Sequence, residues 1–208
     1  MLERVGMMQN RVRVIGITGI TGSGTSTAAD LLKERGGLII SADVLAHEAI
    51  KKGRKAYKKI VDVLGESILL PNGEIDRKKL GVLVFGDENK QRRLWIESLI
   101  HPVVAARIDE LIGNSENAFV VIDAPLLIES GLNKACDEVW LITAADESRI
   151  SRIIQRDGVD KNTAERRLRS RQNEEILKEH ADVIIANNSD LLSLRRQVEK
   201  AFGEIFGS

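Results

Sequence analysis

The stretch GITGITGSGTST at residues 16–27 decides the fold of the chain around it. A run rich in apolar residues, 12–17, leads into it, and residues 28–33 leave it with apolar side chains at helical spacing. A strand that turns on glycines into a helix forms an anion site, because glycines let backbone N–H groups point inward and the helix N-terminus adds positive potential. The spacing of Gly19, Gly24 and Ser26 matches the phosphate-binding P-loop, except that Thr25 stands where that motif has lysine. The sequence therefore predicts a P-loop that lacks one mobile positive charge.

A dinucleotide-binding loop is the alternative interpretation of the same glycines. Gly22 and Gly24 begin that fingerprint, and Asp43 follows nineteen residues later, near the position of a ribose-binding acid. The third small position fails, because Thr27 stands where glycine is expected. This mismatch favours the P-loop over the dinucleotide loop, and both over a plain structural turn.

The composition is typical of a globular protein whose basic and acidic residues are balanced. The 208 residues are 43% hydrophobic and 30% charged, and the 31 basic residues equal the 31 acidic ones. We therefore expect no nucleic-acid partner and no membrane, and no apolar run approaches the roughly 18 residues of a membrane span. Residues 1–10 are expected to be a loose leader without a signal-peptide core. A single Cys136 fits a reducing cytoplasm, and we expect a monomer or weak oligomer.

Short apolar runs predict five strands of a parallel sheet in an α/β fold. These runs lie at residues 12–17, 38–40, 118–123, 138–143 and 182–187. Residues 44–113 show no strand pattern and predict an inserted helical lobe, in which Pro102 should break or kink a helix straight after His101. The predicted organisation is a nucleotide-binding core of residues 11–43 and 114–208 with a helical lobe of residues 44–113.

Two carboxylates follow predicted strands at the edge where parallel sheets bind ligands. Asp43 follows the second strand, and it is a candidate general base or an N-cap of the next helix. Asp123 ends the third strand, where P-loop proteins often place a magnesium-binding acid, although it can also cap the turn at Pro125.

Arginine is concentrated in residues 156–171. Arg166, Arg167, Arg169 and Arg171 lie within six residues, and such density of like charge stabilises a helix little. Guanidinium groups bind phosphate oxygens in a bidentate manner, so a lid over a triphosphate, at about residues 156–173, is favoured over a solvated helix. The basic run at residues 51–59 is interpreted as a solvated face or an anionic-substrate surface.

Several separated segments together resemble the dephospho-CoA kinase family, from about residue 12 to residue 202. They are the glycine loop, SAD at 41–43, GEIDRKKL at 73–80, LIHP at 99–102, DAPLLIESGL at 123–132, QRDG at 155–158, AD at 181–182 and NNS at 187–189. Each segment is weak alone, but their order and spacing are specific. The resemblance implies a P-loop fold with a five-stranded parallel sheet, a helical lobe that binds the CoA substrate, and a lid.

The resemblance also implies a reaction and its residues. The protein would use ATP and Mg²⁺ to phosphorylate the ribose 3′-hydroxyl of dephospho-CoA. Asp43 matches the general base, Arg152 and Arg156 match arginines that neutralise phosphate charge, and Ser26 and Asp123 would serve the magnesium ion. Substrate contacts are expected at His47, His101 and Leu126, although His101 fits helix packing equally well. The expected nucleotide-binding residues are Gly19, Thr21, Gly22, Ser23, Gly24, Thr25, Ser26, Thr27 and Arg171.

The chain departs from the family pattern at four positions: Thr25, Ser41, Arg171 and Ala186. Thr25 matters most, because losing a charge-assisted contact to the β- and γ-phosphates costs at least ~1.5–3 kcal/mol. Some archaeal-type cytidylate kinases look similar at this loop, and Arg171 is a candidate substitute charge. The open alternatives to an active dephospho-CoA kinase are a nucleotide-binding relative with little activity and a kinase for another nucleotide.

Overall fold

The computed structural model describes residues 12–84, 86–169 and 174–207, so the expected leader at residues 1–10 lies outside it. The strands are β1 (Arg13–Thr18), β2 (Leu38–Ser41), β3 (Phe119–Asp123), β4 (Glu138–Thr143) and β5 (Val183–Ala186). The helices are α1 (Thr25–Glu34), α2 (Ala42–Ala49), α3 (Lys55–Leu64), α4 (Arg77–Val84), α5 (Lys90–Gly113), α6 (Asp146–Asp157), α7 (Lys161–Arg169), α8 (Glu174–Glu179) and α9 (Leu191–Phe206). Short 3₁₀ turns occupy Glu66–Ile68, Asp87–Asn89 and Leu132–Ala135.

The chain forms two compact units. One contains the residues up to Ile40 and those from Ile112 onward, and the other is Ser41–Leu111. α5 crosses the second boundary.

A five-stranded parallel sheet in the order β2-β3-β1-β4-β5 forms the centre of the first unit. Gly16 of β1 pairs with Ile122 of β3 on one side and with Val139 of β4 on the other. β1 is buried at every position after Arg13, because a central strand of a parallel sheet is covered on both faces. This burial explains why its sequence is a continuous apolar run, and the predicted α/β class is confirmed.

One face of this sheet packs against the first and last helices. Ala28 and Leu32 of α1 and Val198 of α9 belong to the same buried cluster as Trp140 of β4. Phe119 contacts the rings of Phe202 and Phe206 at centroid distances of 5.1 Å. The packing holds α1, and therefore the loop before it, firmly on the sheet.

The second unit has its own apolar core, to which α3, α4 and α5 contribute Ile60, Leu80 and Ile96. Asp76 caps α4, because its Oδ1 accepts hydrogen bonds from the backbone N–H groups of Lys78 and Lys79 at 2.9 and 3.3 Å.

The turn at residues 70–74 also belongs to the second unit. Gly73 adopts φ 79°, and its N–H donates to the Leu70 carbonyl at 2.8 Å. The adjoining Leu69 and Ile75 form an antiparallel bridge, a small piece of β-structure that the sequence pattern did not reveal.

The expected helix break at Pro102 does not occur. α5 runs without interruption from Lys90 to Gly113 with Pro102 inside it. The fixed φ of proline is helical and only one backbone donor is lost, so packing of Ile96, Val104 and Ile108 into buried positions maintains the helix. Among the described residues, the helices include none with the length and apolarity required to cross a membrane.

Candidate active site

The glycine loop, residues 19–24, turns the chain from β1 into α1. Gly22 and Gly24 have φ of 84° and 99°, a region that other residues rarely adopt. Gly24 is the N-cap of α1 and has no side chain to cap it, so the N–H groups of Thr25, Ser26 and Thr27 have no intrahelical acceptor and no side-chain cap. Uncapped N–H groups at a helix N-terminus form an anion site.

Close packing leaves no room for a side chain at the loop glycines. A Cβ at Gly19 would lie 2.6 Å from Ser23 Oγ, and one at Gly22 would lie 2.9 Å from the Arg149 carbonyl oxygen. At Gly24 it would collide with the side-chain amide of Asn187. Gly22 and Gly24 are therefore required both for their positive φ and for this close approach, and Gly19 for the close approach alone.

Three consecutive carbonyl groups of the loop accept hydrogen bonds from side chains. Arg149 Nε donates to the Thr21 carbonyl at 3.1 Å. Arg152 Nη1 donates to the carbonyls of Gly22 and Ser23, both at 3.2 Å. Asn187 Nδ2 donates to the Ser23 carbonyl at 2.8 Å. α6 and the end of β5 therefore hold the loop in shape.

Sequence reasoning missed two of these three supports. Arg149 and Asn187 contact loop residues that are 128 and 164 positions away in the chain. The available signal was the spacing of Arg149 and Arg152, which places both on one face of a helix. The sequence predicts Arg152 as a phosphate-binding residue. In the structure its guanidinium donates hydrogen bonds to carbonyl groups of the loop and to the Asn187 carbonyl at 2.9 Å.

The arginine-rich segment is a helical hairpin of α6 and α7. Gly158 ends α6 in the left-handed conformation at φ 64°. Asp160 caps α7, since its carboxylate accepts from the N–H and the hydroxyl of Thr163 at 2.9 and 2.7 Å. α6 and α7 therefore form a helical hairpin, and its role as a lid stays a prediction.

Arg156 and Arg167 both bind Asp157 in this hairpin. Arg156 donates to the Asp157 carboxylate at 2.7 and 3.0 Å, and Arg167 adds an ion pair. The hydrogen bond from Arg156, aided by the charges of both arginines, lowers the pKa of Asp157. Arg166 is exposed and donates to Thr163 at 3.1 Å. The predicted nucleotide contact Arg171 lies outside the described residues.

Asp123 lies at the sheet edge from which the loop departs. It is paired in register with Ile17 of β1, and the N–H of the next residue, Ala124, donates to the Ile17 carbonyl at 3.1 Å. Leu126 is half-buried in the following turn, where its carbonyl accepts from the Ser130 hydroxyl at 2.6 Å. The register therefore brings Asp123 to the same edge as the glycine loop.

These residues suit a magnesium–nucleotide complex. Ser26 is exposed in the first turn of α1, and Asp123 contributes a carboxylate at the same edge. In the part of the chain that the structure describes, no cluster of three or more His, Cys, Asp or Glu side chains is arranged to hold a metal by itself. Mg²⁺ usually takes one or two protein oxygens and completes its shell with phosphates and water, so the donor set fits that ion.

Asp43 and His47 lie one turn apart on α2, in the second unit. Ser41, rather than Asp43, caps α2, because its Oγ accepts from the Val44 N–H at 3.4 Å. The alternative role of Asp43 as the N-cap is therefore wrong, and its side chain is exposed. Burial lowers the pKa of His47, the Arg77 charge lowers it further, and Asp43 opposes both. His47 is consequently mainly neutral at pH 7. The other histidine expected to contact substrate, His101, is half-buried on α5 just before Pro102.

Comparison with known proteins gives the family. The family model for dephospho-CoA kinase matches residues 13–193. A dephospho-CoA kinase of Bacillus licheniformis is 38% identical over 191 residues, which cover 90% of this chain and 94% of the relative. That of Geobacter sulfurreducens is 37% identical over 199 residues, covering 94% and 100%.

A solved structure agrees with this assignment. Dephospho-CoA kinase from Campylobacter jejuni has a TM-score of 0.61 and 28% identity, with coverage of 94% of this chain and 98% of that one. The chain therefore belongs to the dephospho-CoA kinase family and is a P-loop kinase, an enzyme that works with ATP and Mg²⁺.

Proposed function

We propose that this protein transfers the γ-phosphoryl group of ATP to the ribose 3′-hydroxyl of dephospho-CoA and so produces coenzyme A. The observation that carries the proposal is the uncapped N-terminus of α1 behind two left-handed glycines, in a chain of this family. Phosphoryl transfer needs little covalent help from the protein, so positioning and charge stabilisation are its main tasks.

The glycine loop and the first turn of α1 bind the phosphates of ATP. The backbone N–H groups of Gly19, Thr21, Gly22 and Gly24 line the cradle, and those of Thr25, Ser26 and Thr27 add the helix N-terminus. Ser23 closes the turn, because its N–H donates to the Ile20 carbonyl at 2.9 Å. Ser26 and Asp123 hold Mg²⁺, which when bound neutralises charge on the phosphate oxygens. Arg149, Arg152 and Asn187 already hold the loop through hydrogen bonds to its carbonyl groups. The backbone N–H groups of the loop therefore need little rearrangement when phosphate binds.

Asp43 acts as the general base that accepts the proton of the attacking hydroxyl. Three observations support this role. The Asp43 carboxylate is exposed, Asp43 follows the carboxyl end of β2, and Ser41 caps α2, so Asp43 is not needed as the cap. A carboxylate in this position can accept the hydroxyl proton as the oxygen attacks the γ-phosphorus.

The second unit, Ser41–Leu111, binds the acceptor. Neutral His47 has a nitrogen lone pair and an N–H for substrate groups, and His101 and Leu126 are the further contacts that the family resemblance implies. Arg156 and Arg171 neutralise phosphate charge from the lid side, which requires Arg156 to leave Asp157 for the substrate. Arg152 adds its charge from the carbonyl side of the loop, where it already binds the Gly22 and Ser23 carbonyl groups.

The protein works in the cytoplasm on a small-molecule substrate as a monomer or weak oligomer. The state of Cys136 supports a protein that does not depend on thiol chemistry. Burial raises the pKa of its thiol to about 12, and the charges of Asp137 and Asp182 act in the same direction. The half-buried Cys136 is therefore a poor nucleophile at neutral pH, because the thiolate is the reactive form.

An ADP-release assay with a panel of acceptors tests the proposed function. We expect turnover with dephospho-CoA and only background rates with AMP, CMP or no acceptor. Turnover with a nucleoside monophosphate instead would assign a different acceptor. Thr25 is the observation that favours a nucleotide-binding relative, and saturable ATP binding without turnover on any acceptor would establish that alternative.

A further inference from the structure

Arg149 is buried behind the glycine loop with part of its hydrogen-bonding capacity unused. Its side chain is only 4% exposed, and it is the one charged residue buried among those the structure describes. Nε donates to the Thr21 carbonyl at 3.1 Å and Nη1 to Asp146 Oδ1 at 2.9 Å. Nη2 is buried and has no hydrogen-bond partner in the described residues. A buried guanidinium is costly, so a scaffold role alone explains this charge poorly.

The contact with Thr21 acts on a donor of the loop. The Thr21 carbonyl belongs to the peptide unit that carries the Gly22 N–H, and in a trans peptide these two groups point in opposite directions. A cation at the carbonyl end polarises this peptide and directs its N–H away from Arg149. Arg152 acts similarly on the peptide between Ser23 and Gly24 through the Ser23 carbonyl. Both arginines therefore act on the loop from its carbonyl side.

The charge of Arg149 is only partly cancelled by its ion pair. The Asp146 side chain is 65% exposed, so water screens its carboxylate, whereas the guanidinium is desolvated. The surplus potential is positive and acts on the loop. That loop has threonine at position 25, where the P-loop motif carries a lysine.

We infer that Arg149 is a positioning residue that supplies, from the carbonyl side of the loop, the positive charge that Thr25 cannot supply from within it. Through this charge it sets the affinity of the loop for the β- and γ-phosphates of ATP. The inference rests on the proposed function only in taking a nucleoside triphosphate as the ligand of the loop. It requires no acceptor and no turnover.

Calorimetric titration of two variants with a non-hydrolysable ATP analogue, ADP and AMP, each with Mg²⁺, tests the inference. Arg149→Gln keeps a donor for the Thr21 carbonyl but removes the charge, and Arg149→Lys keeps the charge. We expect Arg149→Gln to weaken binding of the ATP analogue about tenfold or more, ADP less, and AMP less than about twofold, because the charge acts on phosphates. Arg149→Lys should stay within about threefold of wild type. Unchanged binding of the ATP analogue by Arg149→Gln, or an equal loss for AMP, would overturn the inference.

A lysine at position 25 gives a second, independent readout. In the Arg149→Gln background, Thr25→Lys should restore binding of the ATP analogue to within about threefold of wild type, because it returns one charge to the loop. A purely structural role for Arg149 would leave this double variant as weak as the single one. Arg195→Gln is the matched control, since Arg195 is a partly exposed arginine of the same unit that pairs with Glu34.

Asp146→Asn covers the case in which Arg149→Gln does not fold. Asp146 is on the surface, so its replacement should leave the fold intact while uncovering the Arg149 charge. We expect two- to threefold tighter binding of the ATP analogue at low salt, on the order of what a screened charge contributes, and no change for AMP. Unchanged affinity for the ATP analogue would contradict the inference. These binding results stand apart from turnover, so a wild-type protein that shows them without phosphorylating dephospho-CoA refutes the proposed function alone.

Discussion

At the scale of single residues, Asp43 is the proposed general base, which accepts the proton of the attacking hydroxyl. Asp43→Asn keeps the size of the side chain and removes the proton acceptor, so kcat should fall roughly 10²-fold or more with little change in ATP affinity. The helix should survive, because Ser41 caps α2. Steady-state kinetics with both substrates provides the measurement.

Asp62→Asn is the control for this variant. Asp62 is an exposed carboxylate on α3 of the same unit, and its removal should leave kcat unchanged. An Asp43→Asn enzyme within a few-fold of wild type would exclude Asp43 as the base.

Thr25 stands where the P-loop motif has lysine, so the positive charge near the β- and γ-phosphates must come from other groups. The helix N-terminus and loop donors remain, so Thr25→Lys should raise kcat/KM only modestly, by less than about tenfold. Arg171→Ala should lower activity far more than the equivalent change does in a relative that keeps the P-loop lysine. The effects of Thr25→Lys and Arg171→Ala should be non-additive if the introduced lysine and Arg171 supply charge to one place. One kinase assay on both single variants and the double variant measures all three effects. A Thr25→Lys protein that gains turnover from near zero would mean that the native protein is a binding module.

The positions of some site residues in the fold were readable from the sequence, and those of others were not. The glycine positions and Asp123 follow from local spacing, because a strand, a turn and a helix N-terminus are contiguous in the chain. Arg149 and Asn187 reach the loop from far along the chain, and single-sequence patterns carry no information on such tertiary contacts. Ser41 and Asp43 both suit an N-cap, and only the backbone geometry of α2 distinguishes them.

At the scale of elements, the glycine loop depends on backbone conformation. Gly24→Ala introduces a side chain at φ 99° against the Asn187 amide, so it should lower stability by at least about 1–2 kcal/mol and weaken ATP binding. Gly203→Ala is the matched control, because Gly203 lies inside α9 with open space around its Cβ position. This control should raise stability by about 0.5–1 kcal/mol. Urea unfolding of both variants checks the opposite signs, and equal effects would contradict the role assigned to Gly24.

Elements were predicted well where one physical signal dominates. The strands follow buried apolar runs, and β4 has the predicted bounds of residues 138 and 143. Both ends of β5 differ by one residue from the predicted run at 182–187, because strand ends depend on the neighbouring strands rather than on the apolar run alone. The predicted break of the helix at Pro102 is wrong, because buried side chains on both sides of Pro102 maintain α5.

At the scale of the whole molecule, the two compact units are proposed to divide the substrates between them. Dephospho-CoA should protect backbone amides of residues 41–111 from hydrogen exchange, whereas ATP alone should protect mainly residues 16–30. Peptide-level exchange with each ligand separately and with both provides the comparison. Equal protection of both regions by either ligand would contradict this division of labour.

The central claim is that a P-loop without its lysine still phosphorylates dephospho-CoA. Phosphorus NMR of wild-type protein with MgATP and dephospho-CoA tests it most directly, because the product carries a new phosphomonoester at the ribose 3′ position. The account predicts this resonance in a one-to-one ratio with the ADP formed. Unchanged ATP, or ADP and inorganic phosphate without the new phosphomonoester, would contradict it.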